Sequence, residues 1–487
     1  MEVIEYDTGK AVKALIYRGT PANPAFWERA LLDLPMAAAV MSVAIGPSGR
    51  NDDYLFNLDK FMSDPNVATP FGNEFYGDTD TSLLAAMAKR LQRHRLHFLS
   101  GCGSNQHNQL LLKSDSNNAC LANNGEDAPT MKEIVLCTDG SSDANIKCID
   151  AGGGHTALLT ESGELFLWGW NDHGQLGRRE LDHQPCVPFP IIPKLNILVE
   201  EVALGFSHTL VIEKDTGRLH AFGSNSRSQV GACDDRCMTE LPIALYPGTR
   251  FIDIAAGLFH SAAITNDGCL ITFGCNRFGQ APPIPWKPPD GSALIRVACG
   301  RRHTIAVDER GRVWTMGENK YGQLGRATSG TTCQSAQLVD GILGEEGSGF
   351  LDIKCGWSHC VVSTTKQCGS IKLFGWGRND KGQLGLGVVG DVSTPTLLAN
   401  EVSSISSFSC GAESTVLVDE GGRLYGCGWN EHGNLGTGDE NDSLTLRLAT
   451  GARIVTSPLL DGIGEYIVAA GGAHVIAARK RHRAIEG

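Results

Sequence analysis

The feature that most constrains the fold is a glycine-rich motif repeated along most of the chain. Its consensus is Gly-x-Asn-x-x-Gly-Gln-Leu-Gly, and seven copies occur at intervals of 43 to 66 residues. The copies begin at Gly103, Gly169, Gly223, Gly274, Gly317, Gly377 and Gly428. A recurring unit of this size is typical of a solenoid, a propeller or another array of small structural elements.

A second motif, Gly-x-x-His, lies between the copies of the first. Its histidines are His155, His208, His260, His303, His359 and His474, and Ser414 stands where a seventh would be. Each position follows a glycine and precedes an apolar run, so we interpret the histidines as buried hydrogen-bonding residues. A catalytic or metal-binding histidine is needed once in a protein, and six equivalent copies favour a structural role.

Alternating apolar runs follow each Gly-x-x-His motif and are separated by polar turns that contain glycine. A period of two residues predicts β-hairpins, and about four short strands fit into one repeat, as in a propeller blade. The repeat glycines, among them Gly169, Gly317, Gly377 and Gly428, suit turns with positive φ. We therefore predict an all-β fold, a seven-bladed β-propeller over residues 96–480, followed by a tail at 481–487. A small α+β segment at residues 1–95 precedes it.

The two ends of the repeat region are complementary. The first element, Leu96–Leu110, begins at the Gly-x-Asn half, and the last, Tyr466–Arg479, stops after the Gly-x-x-His half. We predict that the two halves pair to complete one blade, because closure removes open sheet edges. Three stretches, at 111–145, 326–349 and 437–464, are long and polar and are interpreted as irregular surface loops. Such loops often carry binding; the alternative for any one of them is an insertion without a role.

These motifs resemble the repeat of the regulator of chromosome condensation family over residues 96–480. The resemblance implies a seven-bladed propeller that presents its faces to a protein partner, with a small GTPase as the expected partner class. A function like that of a guanine nucleotide exchange factor, or of a regulatory scaffold, follows from the same resemblance.

Charge and cysteine usage exclude several other classes. The net charge is −12, and no cluster of Lys and Arg long enough for nucleic-acid binding is present, so we expect no nucleic-acid partner. The apolar stretch Leu31–Ile45 is too short to span a membrane. The 16 cysteines include no CxxC pair, so neither a metal ion nor a cofactor is expected. Many free thiols without an export signal favour the cytoplasm or the nucleus.

The first 95 residues lack the propeller motifs. We predict a strand at Val12–Tyr17 and helices at Trp27–Ile45, Asp52–Met62 and Ser82–Arg95. The sequences TPANP at 20–24 and GPSGRNDDYLFNL at 46–58 resemble glutathione-specific γ-glutamylcyclotransferases of the ChaC-like family. That resemblance implies an alternative function, the cleavage of glutathione to 5-oxoproline and cysteinylglycine without a metal or cofactor.

The family places a catalytic glutamate just ahead of a tyrosine that opens a strand, so Glu2, with Glu5 as its rival, is the candidate general acid/base. The ordinary alternative is that both are N-terminal acids without a catalytic role. The family's GYGSL-type substrate loop is missing from this sequence. We therefore expect a truncated or decayed domain that does not turn over glutathione.

Overall fold

The computed structural model describes residues 2–6, 12–16, 97–111, 126–136, 145–177, 186–191, 197–231, 239–326, 330–342, 349–365, 371–398, 402, 404–451 and 465–480. It divides into two compact units, one of residues 1–95 and 137–143 and one of residues 96–136 and 144–487. The helices expected at Trp27–Ile45, Asp52–Met62 and Ser82–Arg95 lie outside the described residues. In the described part of the chain, no helix has the length and apolar character needed to cross a membrane.

The described residues of the first unit form an antiparallel hairpin. Strand β1, Glu2–Tyr6, pairs with β2, Val12–Ile16, so that Glu2 lies opposite Ile16 and Tyr6 opposite Val12. The strand expected at Val12–Tyr17 is therefore present.

The described residues of the second unit contain 27 strands. They are β3 His97–Gly103, β4 Ala128–Leu136, β5 Ile146–Ala151, β6 His155–Thr160, β7 Leu165–Trp170, β8 Cys186–Ile191, β9 Val199–Leu204, β10 His208–Glu213, β11 Leu219–Gly223, β12 Thr239–Leu245, β13 Phe251–Ala256, β14 His260–Thr265, β15 Leu270–Gly274, β16 Leu294–Cys299, β17 His303–Asp308, β18 Val313–Glu318, β19 Thr332–Val339, β20 Gly349–Cys355, β21 His359–Thr365, β22 Ile371–Gly377, β23 Val392–Leu397, β24 Ile405–Cys410, β25 Ser414–Asp419, β26 Leu424–Gly428, β27 Ser443–Leu448, β28 Tyr466–Ala470 and β29 His474–Arg479.

These strands form seven antiparallel sheets, the blades of a β-propeller. Six blades have four strands each, and the blade β13-β14-β15 has three. In that blade an isolated bridge between Leu270 and Trp286 replaces the outer strand. The predicted all-β propeller with seven blades is confirmed.

One blade is assembled from both ends of the repeat region. Its strand order is β28-β29-β3-β4, and His474 of β29 lies opposite Gly103 of β3. The predicted closure is therefore confirmed: the C-terminal strands supply the inner half of the blade and the N-terminal strands the outer half. Pairing of this kind leaves neither β29 nor β3 with an open edge for another chain to join.

The core lies between neighbouring blades. Ile305 and Val307 of β17 pack in one cluster with Ile353 of β20, Val362 of β21 and Trp376 of β22. The two middle strands of each blade face a neighbouring sheet on both sides, which explains why all six residues of β6, β14 and β17 are buried. Burial of apolar surface on both faces makes the blades mutually dependent.

Three stretches that we expected to be irregular loops contain the outer strands of blades. Strand β4 falls within 111–145, β19 within 326–349 and β27 within 437–464. The expectation is wrong for these parts of the stretches. Strand β19 has the burial pattern of an exposed edge, with only Val339 fully buried, and so it lacks the apolar alternation that reveals the inner strands.

Candidate functional site

The two repeat motifs meet at one end of each blade. The motif histidine, or Ser414 in its place, begins the second strand. The motif glycine lies directly opposite it, at the end of the third strand or one residue before it, as Gly169 does opposite His155. The same register joins His303 to Gly317, His359 to Gly377 and Ser414 to Gly428. The Gly-x-x-His and Gly-x-Asn-x-x-Gly loops therefore share one surface, which we call the loop face.

Positive φ is required where the third strand ends. The φ values there lie between +99° and +113°, including +102° at Gly169 and +113° at Gly317. A Cβ at Gly317 would meet the backbone of Arg302 and His303. Glycine at this position lets the third strand approach the histidine of the second without a clash.

Backbone hydrogen bonds link the Gly-x-x-His loops of neighbouring blades to one another. The Arg301 amide donates to the Trp357 carbonyl at 3.0 Å, and the Trp357 amide donates to Ala412 at 2.7 Å. Similar bonds run from Ala412 to Gly471 and from Gly472 to Gly152. The inner part of the loop face is thus a rigid platform, because each loop is held by the next.

The motif histidines link the blades through their side chains. In four blades Nε2 lies within 2.8 to 3.2 Å of a Ser or Thr hydroxyl that follows the histidine position of the next blade, as His260 does with Thr304. His474 makes the same contact to Thr156 at 3.1 Å. The Thr304 hydroxyl donates to the Gln280 carbonyl at 2.7 Å. Since its proton is used there, the hydroxyl accepts from His260, which fixes the tautomer with hydrogen on Nε2.

Burial keeps these histidines neutral. Desolvation lowers the pKa of His155, His208, His260, His359 and His474 from 6.5 to about 3. A ring that is fully buried and uncharged near neutral pH suits a fixed hydrogen bond. Gly300 shows why glycine precedes each of them, since a Cβ there would collide with the His303 ring.

Two blades depart from this pattern. Where Ser414 replaces the histidine, the following blade has Val475 in place of the hydroxyl residue, so both partners of the hydrogen bond are absent together. In the other, His303 Nε2 lies 3.1 Å from the Cys360 sulfur instead of a hydroxyl. In both cases the next blade has no hydroxyl at the position that faces the histidine elsewhere.

The Gly-x-Asn-x-x-Gly loops are held by their own side chains. In all seven copies the Asn Oδ1 accepts a hydrogen bond from the backbone amide five residues later, for example from Leu324 to Asn319 at 2.9 Å. The motif glutamine accepts from the amide two residues earlier, as Gln323 does from Tyr321 at 2.8 Å. The variable residues of these loops therefore stand on a fixed backbone.

Aromatic side chains form one part of the loop face. His107 stacks on Trp170 with ring centroids 5.4 Å apart, and Phe206 of the next blade meets the same indole edge-on at 5.7 Å. All three keep partial exposure to solvent. We call His107, Trp170 and Phe206 the aromatic sector.

Arginines form the adjoining part. Arg227, Arg277, Arg301 and Arg302, the arginine sector, come from neighbouring loops. Arg301 lies 5.2 Å from the Trp357 ring centroid and Arg302 lies 4.6 Å from that of Phe278. Arg302 also pairs with Glu318 at 3.1 Å. In the described part of the chain no ion pair to an acidic group involves Arg227, Arg277 or Arg301. Arg227 and Arg277 are exposed, and Arg301 is half-buried.

The remainder of the loop face carries paired charges. Arg378 contacts both Glu413 and Asp380 and stacks on Tyr321 at 5.0 Å. Farther along, His432 lies 2.6 Å from Asp127, beside Trp429. Protein interfaces are enriched in Trp, Tyr, Phe and Arg relative to other surface, and this face presents all four.

Comparison with known proteins identifies the second unit. A family model described as RCC1-like domain matches residues 98–478. The chain belongs to this family. A second model, described as ChaC-like protein, matches residues 2–83, which confirms the second resemblance seen in the sequence.

Relatives of this RCC1-like chain carry several different names. The ultraviolet-B receptor UVR8 of Arabidopsis thaliana is 31% identical over 65% of this chain and 60% of its own length. The secretion-regulating guanine nucleotide exchange factor of Bos taurus is 30% identical over 66% of this chain and 75% of its own. The regulator of chromosome condensation of Mus musculus is 27% identical over 67% and 81%.

Solved structures share the RCC1-like fold. Prp20p of Saccharomyces cerevisiae aligns with a TM-score of 0.64 and 19% identity over 80% of this chain and 92% of that one. Human WBSCR16 aligns with a TM-score of 0.62 and 21% identity over 79% of this chain and all of the other. Prp20p binds Gsp1p and histones.

Glu2 and Glu5, the residues proposed for catalysis, lie on β1 opposite Ile16 and Lys13. No motif in the sequence indicates the aromatic and arginine sectors, since their residues are variable positions of separate repeats. The sequence did contain part of the information needed to find the arginine sector. Arg301, Arg302 and Trp357 occupy the x positions of Gly-x-x-His motifs, and all such positions lie on the loop face.

Proposed function

We propose that this RCC1-like chain is a protein-binding platform that acts on a small GTPase through its loop face. The observation that carries the proposal is the arginine sector beside partly exposed aromatic rings on a backbone held by hydrogen bonds between blades. Aromatic and arginine side chains on a rigid support are typical of binding hot spots. A preorganised surface also loses little conformational entropy when it binds.

A protein partner fits this face better than a nucleic acid does. The three unpaired arginines are few, and acidic groups such as Asp172, Glu318 and Glu413 lie among the basic ones. The chain carries a net charge of −12. Phosphate binding depends on several clustered cations, whereas a mixed face suits a partner with its own mixed charges.

Action on a small GTPase requires no chemistry from the propeller. A binding partner accelerates nucleotide release if it has a higher affinity for the nucleotide-free GTPase than for the loaded one. One relative is named as a guanine nucleotide exchange factor, and Prp20p, which shares the fold, binds Gsp1p. Ten cysteines whose side chains the structure describes are free thiols, which supports action in the cytoplasm or the nucleus.

The proposal is tested by nucleotide release. The full chain is added to a panel of purified small GTPases, Gsp1p included, each loaded with fluorescent GDP, and the rate of release is followed. We expect acceleration of at least one GTPase by 10-fold or more. Arg301→Glu and Trp357→Ala should each reduce that acceleration about 10-fold, the loss typical of one hot-spot residue.

Arg250→Glu is the matched control, because it makes the same charge change. Arg250 is exposed and precedes β13, at the end of the blades opposite the loop face. It should leave the acceleration unchanged. No acceleration and no binding across the panel would contradict the GTPase proposal, and equal loss in Arg250→Glu and Arg301→Glu would contradict the assignment of the face.

A second candidate function rests on the ChaC-like match at residues 2–83. The family's reaction is cleavage of glutathione to 5-oxoproline, with Glu2 or Glu5 as general acid/base. We infer that residues 1–487 alone do not perform it, because positioning of the substrate supplies roughly 7–11 kcal/mol of such a barrier and these residues do not include the family's positioning loop.

Incubation of the purified full chain with glutathione tests this inference. We expect no 5-oxoproline above the level of a protein-free control. Turnover that is lost in Glu2→Gln or in Glu5→Gln would establish the enzymatic function and identify the catalytic residue, since a general acid/base contributes about 10²–10⁴-fold.

A further inference from the structure

Three donor atoms of the kind that binds soft metal ions converge between two blades. His303 Nε2 lies 3.1 Å from Cys360 Sγ, and Cys355 Sγ lies 3.7 Å from the same sulfur. All three atoms lie within 4.8 Å of one another. His303 comes from β17 of one blade and the two cysteines from β20 and β21 of the next, so no spacing within one motif indicates the cluster.

The other blades show that the fold does not need thiols at these positions. Cys355 and Cys360 lie directly opposite each other in the register of β20 and β21. The pairs at the same two positions of the other blades are Ala151 and Thr156, Leu204 and Thr209, Ala256 and Ser261, Cys299 and Thr304, Cys410 and Thr415, and Ala470 and Val475. Among the seven blades, only the blade of β20 and β21 has cysteine at both positions. These cysteines lie beside His303, the one motif histidine that faces a sulfur atom instead of a hydroxyl.

The donor set and its geometry match zinc. Zinc binds Cys sulfur at about 2.3 Å and His nitrogen at about 2.0 Å in a tetrahedron, which places two coordinated sulfurs ~3.8 Å apart, close to the 3.7 Å between Cys355 and Cys360. The cluster contains no carboxylate, as calcium or magnesium would require.

We propose that His303 Nε2, Cys355 Sγ and Cys360 Sγ form a zinc site that joins two neighbouring blades. Binding of Zn²⁺ releases the two thiol protons to solvent, so the two thiolates balance the charge of the ion. The buried complex is therefore neutral, whereas Cu⁺ on the same ligands would leave a net negative charge that is costly to bury. Cys355 keeps partial exposure, which gives the ion a route of entry.

The test uses the untagged full chain, purified under reducing conditions without metal, and Co²⁺ as a spectroscopic probe for zinc. We expect one Co²⁺ per chain, with thiolate-to-cobalt charge transfer and the strong visible bands of a tetrahedral site, and displacement of the spectrum by Zn²⁺. Zinc should also raise Tm, because a ligand that binds only the folded chain stabilises it.

Cys355→Ala and Cys360→Thr remove the sulfurs and introduce the residues that other blades carry there, so both variants should fold. Each should lose the cobalt spectrum and the rise in Tm, while Cys410→Ala, the matched control at the same position of the next blade, should keep both. A wild-type chain that binds no Co²⁺ or Zn²⁺, or variants that bind as tightly as wild type, would overturn the proposal. An oxidised Cys355–Cys360 pair in the reduced preparation would overturn it too.

Discussion

At the residue scale, five of the seven contacts between neighbouring blades include a short relay of hydrogen bonds. A motif histidine donates to a hydroxyl of the next blade. That hydroxyl in turn donates to the backbone carbonyl of a glutamine in the blade that carries the histidine, as in His260, Thr304 and Gln280. All three groups are buried. Buried polar groups stabilise a fold only when each one has its partner, which explains why Ser414 and Val475 depart from the pattern together.

Thr304→Val should therefore destabilise the propeller much more than its small change in volume suggests. It leaves His260 Nε2 without an acceptor and the Gln280 carbonyl without a donor, and an unpaired buried group costs about 1–3 kcal/mol. We expect the free energy of unfolding to fall by about 2–5 kcal/mol in urea titrations. Thr445→Val, at an exposed position of β27, is the control and should change it by less than about 0.5 kcal/mol.

The same histidines make the fold sensitive to acid. Between the unfolded pKa of 6.5 and the folded pKa of about 3, His155 and its four equivalents bind protons only in the unfolded chain. Their stabilisation is complete above pH 6.5 and is lost as pH falls toward 3. Burial raises the pKa of Asp150 and Asp253 to about 6 and that of Glu201 well above its usual value, which acts in the opposite direction.

The destabilisation caused by five histidines should exceed the stabilisation caused by three carboxyls. The free energy of unfolding should therefore decline steadily from pH 6.5 to pH 4. Urea unfolding midpoints at pH 7.5, 6.5, 5.5 and 4.5 test this. A midpoint that stays constant or rises as the pH is lowered would show that the histidines are not buried in the neutral form.

At the element scale, the closing blade joins the two ends of the propeller. Strand β29 pairs with β3 over His474–Ala478, and β28 packs against β24 and β5 of the neighbouring blades. Loss of β28 and β29 would expose an unpaired edge on β3 and the apolar faces of both neighbours.

Deletion of residues 466–487 should destabilise the whole propeller rather than one blade. We expect a large fall in Tm, or an insoluble product, in thermal unfolding followed by circular dichroism. Deletion of residues 481–487 alone removes only the tail beyond β29 and serves as the control, with Tm unchanged. A 466–487 deletion that melts at the wild-type temperature would contradict closure by these strands.

The inner strands could be predicted from the sequence and the outer strands could not. Inner strands such as β6 and β17 are buried along their whole length, and glycine-bounded apolar runs reveal them. Outer strands such as β23 and β27 are largely exposed, and only Ser443 of β27 is fully buried. Their pairing is determined by the third strand of the blade, which a local pattern does not contain.

At the scale of the whole molecule, repetition brings variable residues together. The sequence indicated that the propeller binds protein, but not where, because the pairs Arg301–Trp357 and Arg302–Glu318 join positions of different loops. The cluster of His303, Cys355 and Cys360 could not be predicted from the sequence for the same reason, because its residues come from two blades. Such contacts depend on the arrangement of blades around the axis and have no signature along the chain.

The central claim is that the loop face is the protein-binding surface, and hydrogen–deuterium exchange on a complex tests it most directly. The measurement compares the free chain with its complex with the GTPase that binds most tightly. We predict slower exchange at residues 300–302, 356–358 and 320–322, and unchanged exchange at the turns 161–164, 214–218 and 309–312 on the opposite end of the blades. Protection confined to those turns, with none on the loop face, would contradict the account.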